Sequence, residues 1–327
     1  MHTRRRIVLA LGATVLAPLP SFAQQQLAKV ARIGFLGPTS ASGTASRLEA
    51  LRAGLRDLGY VEGKNIIIEF RWAGGDYDRL PELAAELVRL KIDVLLTYGT
   101  AGTYAAKHAA TAIPIVMVTS SDAIATGIVA SLARPGGNIT GSTIFNPELS
   151  AKRIELVKEA MPRITRMAAL FNPGNPSNAS ARQAMEITAK SFKVELHPFE
   201  ARRPEDFAGA FAAMVKNHFD AVVLPEEPIF NAHYKQIAEL AVKNRIVLAG
   251  GIELAEAGGM IGYGVNFPDL WRRAAVFVDK ILKGTKPGDI PIERATRFEM
   301  VLNIKTAKAL DIKIPNSILV QATKVIE

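Results

Sequence analysis

Hydroxyl residues recur at two places where this chain should pass from a strand into a helix. Thr97-Tyr98-Gly99-Thr100 follows the apolar run Val94-Leu95-Leu96, and Thr119-Ser120-Ser121-Asp122 follows Ile115-Val116-Met117-Val118. Hydroxyls beside the free N–H groups of a helix N-terminus suit a carboxylate or another anion. The same residue types are ordinary helix N-caps, so each turn taken singly favours a structural role. Two such turns on one cleft make a binding role competitive. Glu226, Glu227 and Glu253 lie on later turns and are candidate counter-charges for an ammonium or hydroxyl group. Tyr98, Phe171 and Phe230 are candidate apolar walls, and equally candidate core.

Catalytic patterns do not compete with this reading. The sequence holds no Gly-x-Ser-x-Gly elbow, no His-Glu-x-x-His pair and no Walker loop. Gly262-Tyr263-Gly264 begins like a dinucleotide fingerprint, but Phe267 stands where its third glycine belongs. His108, His197, His218 and His233 fall on separate segments. His233 is near Glu226 and Glu227 in sequence, yet a zinc site needs three or four ligands and their supporting partners. No metal and no cofactor are expected.

These turns need elements to position them, and the hydrophobic pattern supplies those elements. Ile33-Gly34-Phe35-Leu36 reads as a strand ending in Gly37-Pro38-Thr39-Ser40. Leu48, Leu51, Leu55 and Leu58 fall on one helix face, with Gly59 placed to end it. Strands at 66–70, 94–96, 115–118 and 139–143 alternate with helices near 80–90 and 101–110. After an irregular stretch the alternation restarts, with strands at 167–171, 194–196, 221–224 and 247–249. Helices are expected at 151–161, 178–191, 205–217 and 231–244. Continuous apolar strands between amphipathic helices imply parallel sheets covered on both faces. The fold class read from the pattern is α/β, with two doubly wound parallel-sheet lobes rather than one sheet of ten strands.

Ligands in such sheets bind beyond the carboxyl ends of the strands. The loops at 37–43, 97–102, 119–124, 172–177, 225–230 and 250–254 would then share one cleft. Their candidate ligand-binding residues include Thr39, Ser40, Gly99, Asn172, Asn175, Ser177 and Gly251, beside the hydroxyl, acidic and aromatic residues already named.

The first 23 residues read as an export signal: Arg4-Arg5-Arg6, an apolar run from Ile7 to Ala17, then Ser21-Phe22-Ala23 as a cleavage site before Gln24. The apolar run is shorter than the roughly 20 residues a spanning helix needs. A twin-arginine route and a plain secretory signal fit equally. The expected location is the periplasm. With no cysteine, the chain has neither a lipid-anchor cysteine nor a disulfide framework, so its core must hold it together. Arg4, Arg5 and Arg6 would leave with the signal, so the net charge of +9 overstates the basic balance. The remaining basic residues are spread along helices, without the patch that nucleic acid requires.

The chain resembles the solute-binding proteins of ABC importers that have the type I periplasmic-binding fold, a family with aromatic amino-acid-binding members. The resemblance spans about residues 30–327. It rests on Arg32-Ile33-Gly34-Phe35-Leu36, Gly59-Tyr60-Val61-Glu62-Gly63-Lys64-Asn65 and Arg71-Trp72-Ala73-Gly74-Gly75-Asp76-Tyr77-Asp78-Arg79-Leu80-Pro81. It continues through Ser131-Leu132-Ala133-Arg134-Pro135-Gly136-Gly137-Asn138-Ile139-Thr140-Gly141, Ile281-Leu282-Lys283-Gly284-Thr285-Lys286-Pro287 and Leu302-Asn303-Ile304-Lys305-Thr306-Ala307-Lys308.

The resemblance implies a non-catalytic monomer that closes on a small polar ligand, such as an amino acid, and docks transiently on an inner-membrane permease. It implies a first lobe of 27–120 plus about 266–290, a second of about 145–264 plus about 291–327, and hinges near 119–145, 264–267 and 290–297. It places a ligand carboxylate at Tyr98-Gly99-Thr100 and Ser120-Ser121-Asp122, with Asn172–Ser177, Glu226–Phe230 and Gly251–Glu253 opposite. Two departures stand out. Asp122-Ala123 replaces a usual Asp-Pro, and Gly250-Gly251 replaces bulkier residues, which is expected to enlarge or re-aim the pocket. A sensing module for a membrane receptor and an exported enzyme using Glu226, Glu227 and Glu253 remain the alternatives.

Overall fold

The apolar runs form strands because neither of their faces meets water. In the computed structural model, which describes residues 30–327, Ile33, Phe35, Val94, Leu95, Leu96, Val116 and Met117 are wholly buried. The expected export signal at 1–23 lies outside the described residues. The first sheet contains β1 (Ala31–Gly37), β2 (Ile66–Trp72), β3 (Val94–Thr97), β4 (Ile115–Ser120) and β5 (Ile139–Thr143). The second contains β6 (Arg166–Phe171), β7 (Glu195–Glu200), β8 (Ala221–Val223), β9 (Val247–Gly250) and β10 (Ile261–Gly264). Late in the chain, β11 (Glu293–Arg294) returns to the first sheet, while β12 (Glu299–Asn303) and β13 (Lys324–Ile326) extend the second.

The sheets run in the orders β11-β5-β4-β3-β1-β2 and β13-β12-β10-β9-β8-β6-β7. All pairings are parallel except that of β10 with β12. Parallel neighbours need crossover connections, and the helices provide them. On the first sheet α1 (Ala45–Asp57) packs with the late helix α10 (Phe267–Leu282), and α2 (Leu80–Arg89) with α3 (Gly99–Ala109). On the second, α4 (Asn146–Ala160) and α5 (Asn178–Ser191) cover one face, and α6 (Asp206–Lys216) and α8 (Tyr234–Lys243) the other. The short α7 (Pro228–Ala232) and α9 (Ile252–Glu256) follow β8 and β9, and α11 (Ile304–Ala309) and α12 (Asn316–Leu319) complete the second unit.

The helix signals correspond to recognisable local chemistry. Pro81 sits in the first turn of α2, where its missing N–H costs nothing, and Leu80, Leu83, Ala84 and Leu87 form its buried face. Asn266 caps α10 by accepting the Asp269 N–H at 3.2 Å, and Trp271, Ala274, Ala275 and Val278 turn inward. Each such large apolar side chain contributes about 1.5–3 kcal/mol on burial. Gly54 of α1 allows a close helix crossing there, since a Cβ would lie 2.4 Å from the Arg272 carbonyl oxygen of α10.

The chain passes between the sheets at 144–145, 265–266 and 295–298. The first and last crossings are narrower than the expected hinges at 119–145 and 290–297. The physical reason is strand pairing: Ile139–Thr143 and Glu293–Arg294 both hydrogen-bond within the first sheet. The first unit therefore includes these strands, which the expected boundaries at 120 and 291 leave out.

Candidate ligand-binding site

Between the two units, the carboxyl ends of the strands line a narrow cavity, the place where ligands bind in open parallel sheets.

Its first wall begins where β3 ends. Tyr98 is extended and Gly99 has φ +72°, a left-handed turn that starts α3 at an abrupt angle. The first N–H groups of α3 have no carbonyl partner within the helix. Thr100 Oγ1 lies 3.4 Å from Ser120 Oγ and accepts the Ser121 N–H at 3.4 Å. These contacts join the two hydroxyl turns into one surface. Tyr98 stands behind it, with its hydroxyl 2.6 Å from Thr39 Oγ1 and its ring 5.0 Å from that of Trp271. Burial pushes the Tyr98 phenol up to about 12, which keeps it neutral.

The second wall is the turn after β8. Glu226 is buried against Arg153, whose guanidinium also donates to the Leu224 carbonyl at 2.8 Å and the Tyr263 carbonyl at 2.7 Å. Asn146, at the start of α4, braces the Glu226 backbone by accepting its N–H at 2.8 Å and donating to its carbonyl at 3.1 Å. Glu227 accepts hydrogen bonds from Tyr77, Asn172 and Asn175, and from the Ile229 N–H at the start of α7. Burial raises the Glu227 carboxyl above its ordinary value, and these donors offset only part of the rise.

Several contacts cross from unit to unit. Tyr77 of the first reaches Glu227 of the second. Arg47 of α1 pairs with Glu253 of α9, with Nε 3.2 Å from Oε1, and its guanidinium lies 4.2 Å from the centre of the Phe267 ring. Burial alone would lower the Arg47 pKa, but Glu253 outweighs it and the group stays raised and charged. A Cβ on Gly99 would come within 2.7 Å of Pro228, so the two walls meet at that point. The units are closed on each other.

The cavity gathers Tyr98, Gly99, Thr100, Thr119, Ser120, Ser121, Asn175, Ser177, Glu226 and Glu227 from the residues the sequence singles out. Others sit elsewhere. Thr39 supports Tyr98 from behind, Ser40 bonds Ser42, and Asp122 accepts the N–H groups of Ile124 and Ala125 at 3.0 Å. Asn172 holds Glu227 and the Gly174 N–H, while Phe230 and Phe171 belong to the apolar cores of the second unit. Glu253 is taken by Arg47 and lines an outer groove. The two glycines do not widen the inner cavity. Leu254 fills the space beside Gly250, and Tyr234 and Glu226 fill that beside Gly251.

The sequence reading missed Arg47, Ile144, Asn146, Asn231 and Phe267, which also line the cavity. Only Phe267, noted for a failed fingerprint, carried any signal. Among the described residues, no three His, Asp or Glu side chains are spaced to hold a metal ion.

The sequence profile for ABC transporter substrate-binding proteins matches residues 32–326. The chain belongs to this family. It is 27% identical to a tyrosine-binding protein of Clostridioides difficile over 261 residues, covering 79% of this chain and 74% of that one. Among solved structures, a conserved domain protein from Vibrio cholerae superposes with a TM-score of 0.84 at 24% identity, over 91% of this chain and all of the other. A Streptococcus domain in complex with L-Trp superposes at 0.82 and 24% identity, over 90% of this chain and 99% of its own. The ligand-free, open structure of an adhesive substrate-binding protein from Clostridium difficile gives 0.62 at 21% identity, over 91% and 99%. These likenesses establish the same two-unit, substrate-binding-protein architecture, the type I periplasmic-binding fold.

Proposed function

We propose that this substrate-binding protein captures an amino acid between two hinged lobes and delivers it to the permease of an ABC importer. On this reading the protein is exported to the periplasm, acts as a monomer and has no catalytic role. The first lobe is the β11-β5-β4-β3-β1-β2 unit, and the second is the other sheet with its helices. The crossings at 144–145, 265–266 and 295–298 act as the hinge.

The observation that carries the reading is the first wall: the free N–H groups of α3, with Thr100, Ser120 and Ser121 beside them, lining the cavity between the units. That combination of donors suits a carboxylate. Ile144, Pro228 and Phe267 offer apolar surface for a side chain. Two comparisons support an aromatic amino acid: the tyrosine-binding relative and the structure in complex with L-Trp. The closer superposition on the L-Trp complex than on the open, ligand-free structure supports hinge closure.

Native mass spectrometry of protein purified from its host, followed by titration calorimetry with the twenty amino acids, tests this. An amino acid that comes through purification and rebinds unchanged is the expected result. Turnover of the ligand, or saturation by none of the panel, would overturn it.

A further inference from the structure

The charged groups around the cavity all have ion-pair or hydrogen-bond partners inside the chain. Glu226 has Arg153, Arg47 has Glu253, and Glu227 is surrounded by neutral donors. The three glutamates expected to meet an ammonium group thus have partners within the chain in the closed structure. Two polar side-chain atoms at the cavity have no partner among the described residues: Ser121 Oγ on the first wall and Asn231 Oδ1 on the second. Both are shut off from bulk water. Buried polar atoms are nearly always paired, so these two point to a partner that a ligand supplies.

Chemistry fixes which end of the Asn231 amide is free. The Glu226 carboxylate only accepts hydrogen bonds, so the Nδ2 end of Asn231 must turn to it, and does so at 3.3 Å from Oε2. That leaves Oδ1, an acceptor, for a ligand donor. Glu226 strengthens it by polarising the same amide.

We propose that Asn231 reads the nitrogen of the ligand: its Oδ1 accepts an N–H from the ligand amino group while Ser121 and the start of α3 hold the carboxylate on the facing wall. This rests on the amino-acid reading above and names the residue that gives it specificity. A bound zwitterion would bridge the two walls, its carboxylate on the first and its amino group on the second.

The test compares L-tyrosine and L-tryptophan with their deamino analogues, 3-(4-hydroxyphenyl)propionate and indole-3-propionate. Each is titrated against the wild type, Asn231→Leu and, as a smaller replacement, Asn231→Ala. Wild-type protein should prefer at least one amino acid over its analogue by about tenfold or more, the worth of a hydrogen bond to a charged group. Both variants should lose that preference through weaker amino-acid binding, with analogue binding changed by no more than about twofold. A preference that survives in the variants, or equal weakening of amino acid and analogue, would overturn the assignment to Asn231. Wild-type protein that binds no amino acid would instead overturn the reading on which it rests.

Discussion

Tyr77 and Glu227, 150 residues apart in sequence and in different units, share a hydrogen bond across the cleft. Burial holds the Tyr77 phenol well above its ordinary value, so it remains a neutral donor facing an acceptor. On the proposed hinge motion the bond forms only in the closed state, so it would add to ligand affinity through closure rather than through contact with the ligand. Tyr77→Phe should therefore weaken ligand binding by roughly ten- to a hundredfold, since a hydrogen bond to a charged group contributes about 1.5–3 kcal/mol. Calorimetry checks this. Unchanged affinity would mean that the latch contributes nothing to closure.

The same carboxyl gives the closed state a pH dependence. Burial in the closed form raises the Glu227 carboxyl, and parting of the units would expose it on the Tyr77 side and bring it back toward its ordinary value. A carboxyl whose pKa is higher in the closed form binds more protons there. Closure is thus favoured at low pH, and that contribution is lost as pH rises through the raised value. Dissociation constants measured from about pH 5 to about pH 8 should rise more steeply for the wild type than for Glu227→Gln. Parallel profiles would remove Glu227 from the linkage.

Gly99 serves both conformation and closure. An alanine there must adopt φ +72° and place its Cβ 2.7 Å from Pro228 of the other unit. The left-handed conformation alone costs about 1–2 kcal/mol, or a few degrees in the unfolding midpoint of a chain this size. Gly99→Ala should show that modest shift and, by calorimetry, a loss of affinity of about tenfold or more. A normal dissociation constant would mean that the walls need not meet.

Ser121 separates binding from capping. Its hydroxyl is buried and has no partner among the described residues, so Ser121→Ala should leave the apo unfolding midpoint unchanged or slightly higher. Ligand affinity should still fall by about tenfold. Thermal melts with and without ligand report both quantities. A clear loss of apo stability would mark Ser121 as a structural residue.

The sequence discloses what local patterns encode. Leu48, Leu51 and Leu55 announce the buried face of α1, and Thr97–Thr100 and Thr119–Asp122 announce turns that do meet in one cavity. What it conceals depends on pairings between distant residues. Arg47 stands beside Leu48 like any charged helix residue, and is buried only because Glu253 waits 206 residues away. Glu226 and Glu227 look like free counter-charges until Arg153 and Tyr77 are folded against them. Short strands with edge pairings, such as Glu293–Arg294, carry too few residues for a periodicity, and so the crossing points are blurred.

Solution scattering on ligand-stripped protein, before and after adding the amino acid that binds, tests the central claim most directly. The closed units described above should reproduce the scattering curve at saturation. The stripped protein should show a larger radius of gyration, because the contacts joining Tyr77 to Glu227 and Arg47 to Glu253 are released when the lobes part. Identical curves with and without bound ligand would contradict an amino-acid receptor that works by closing.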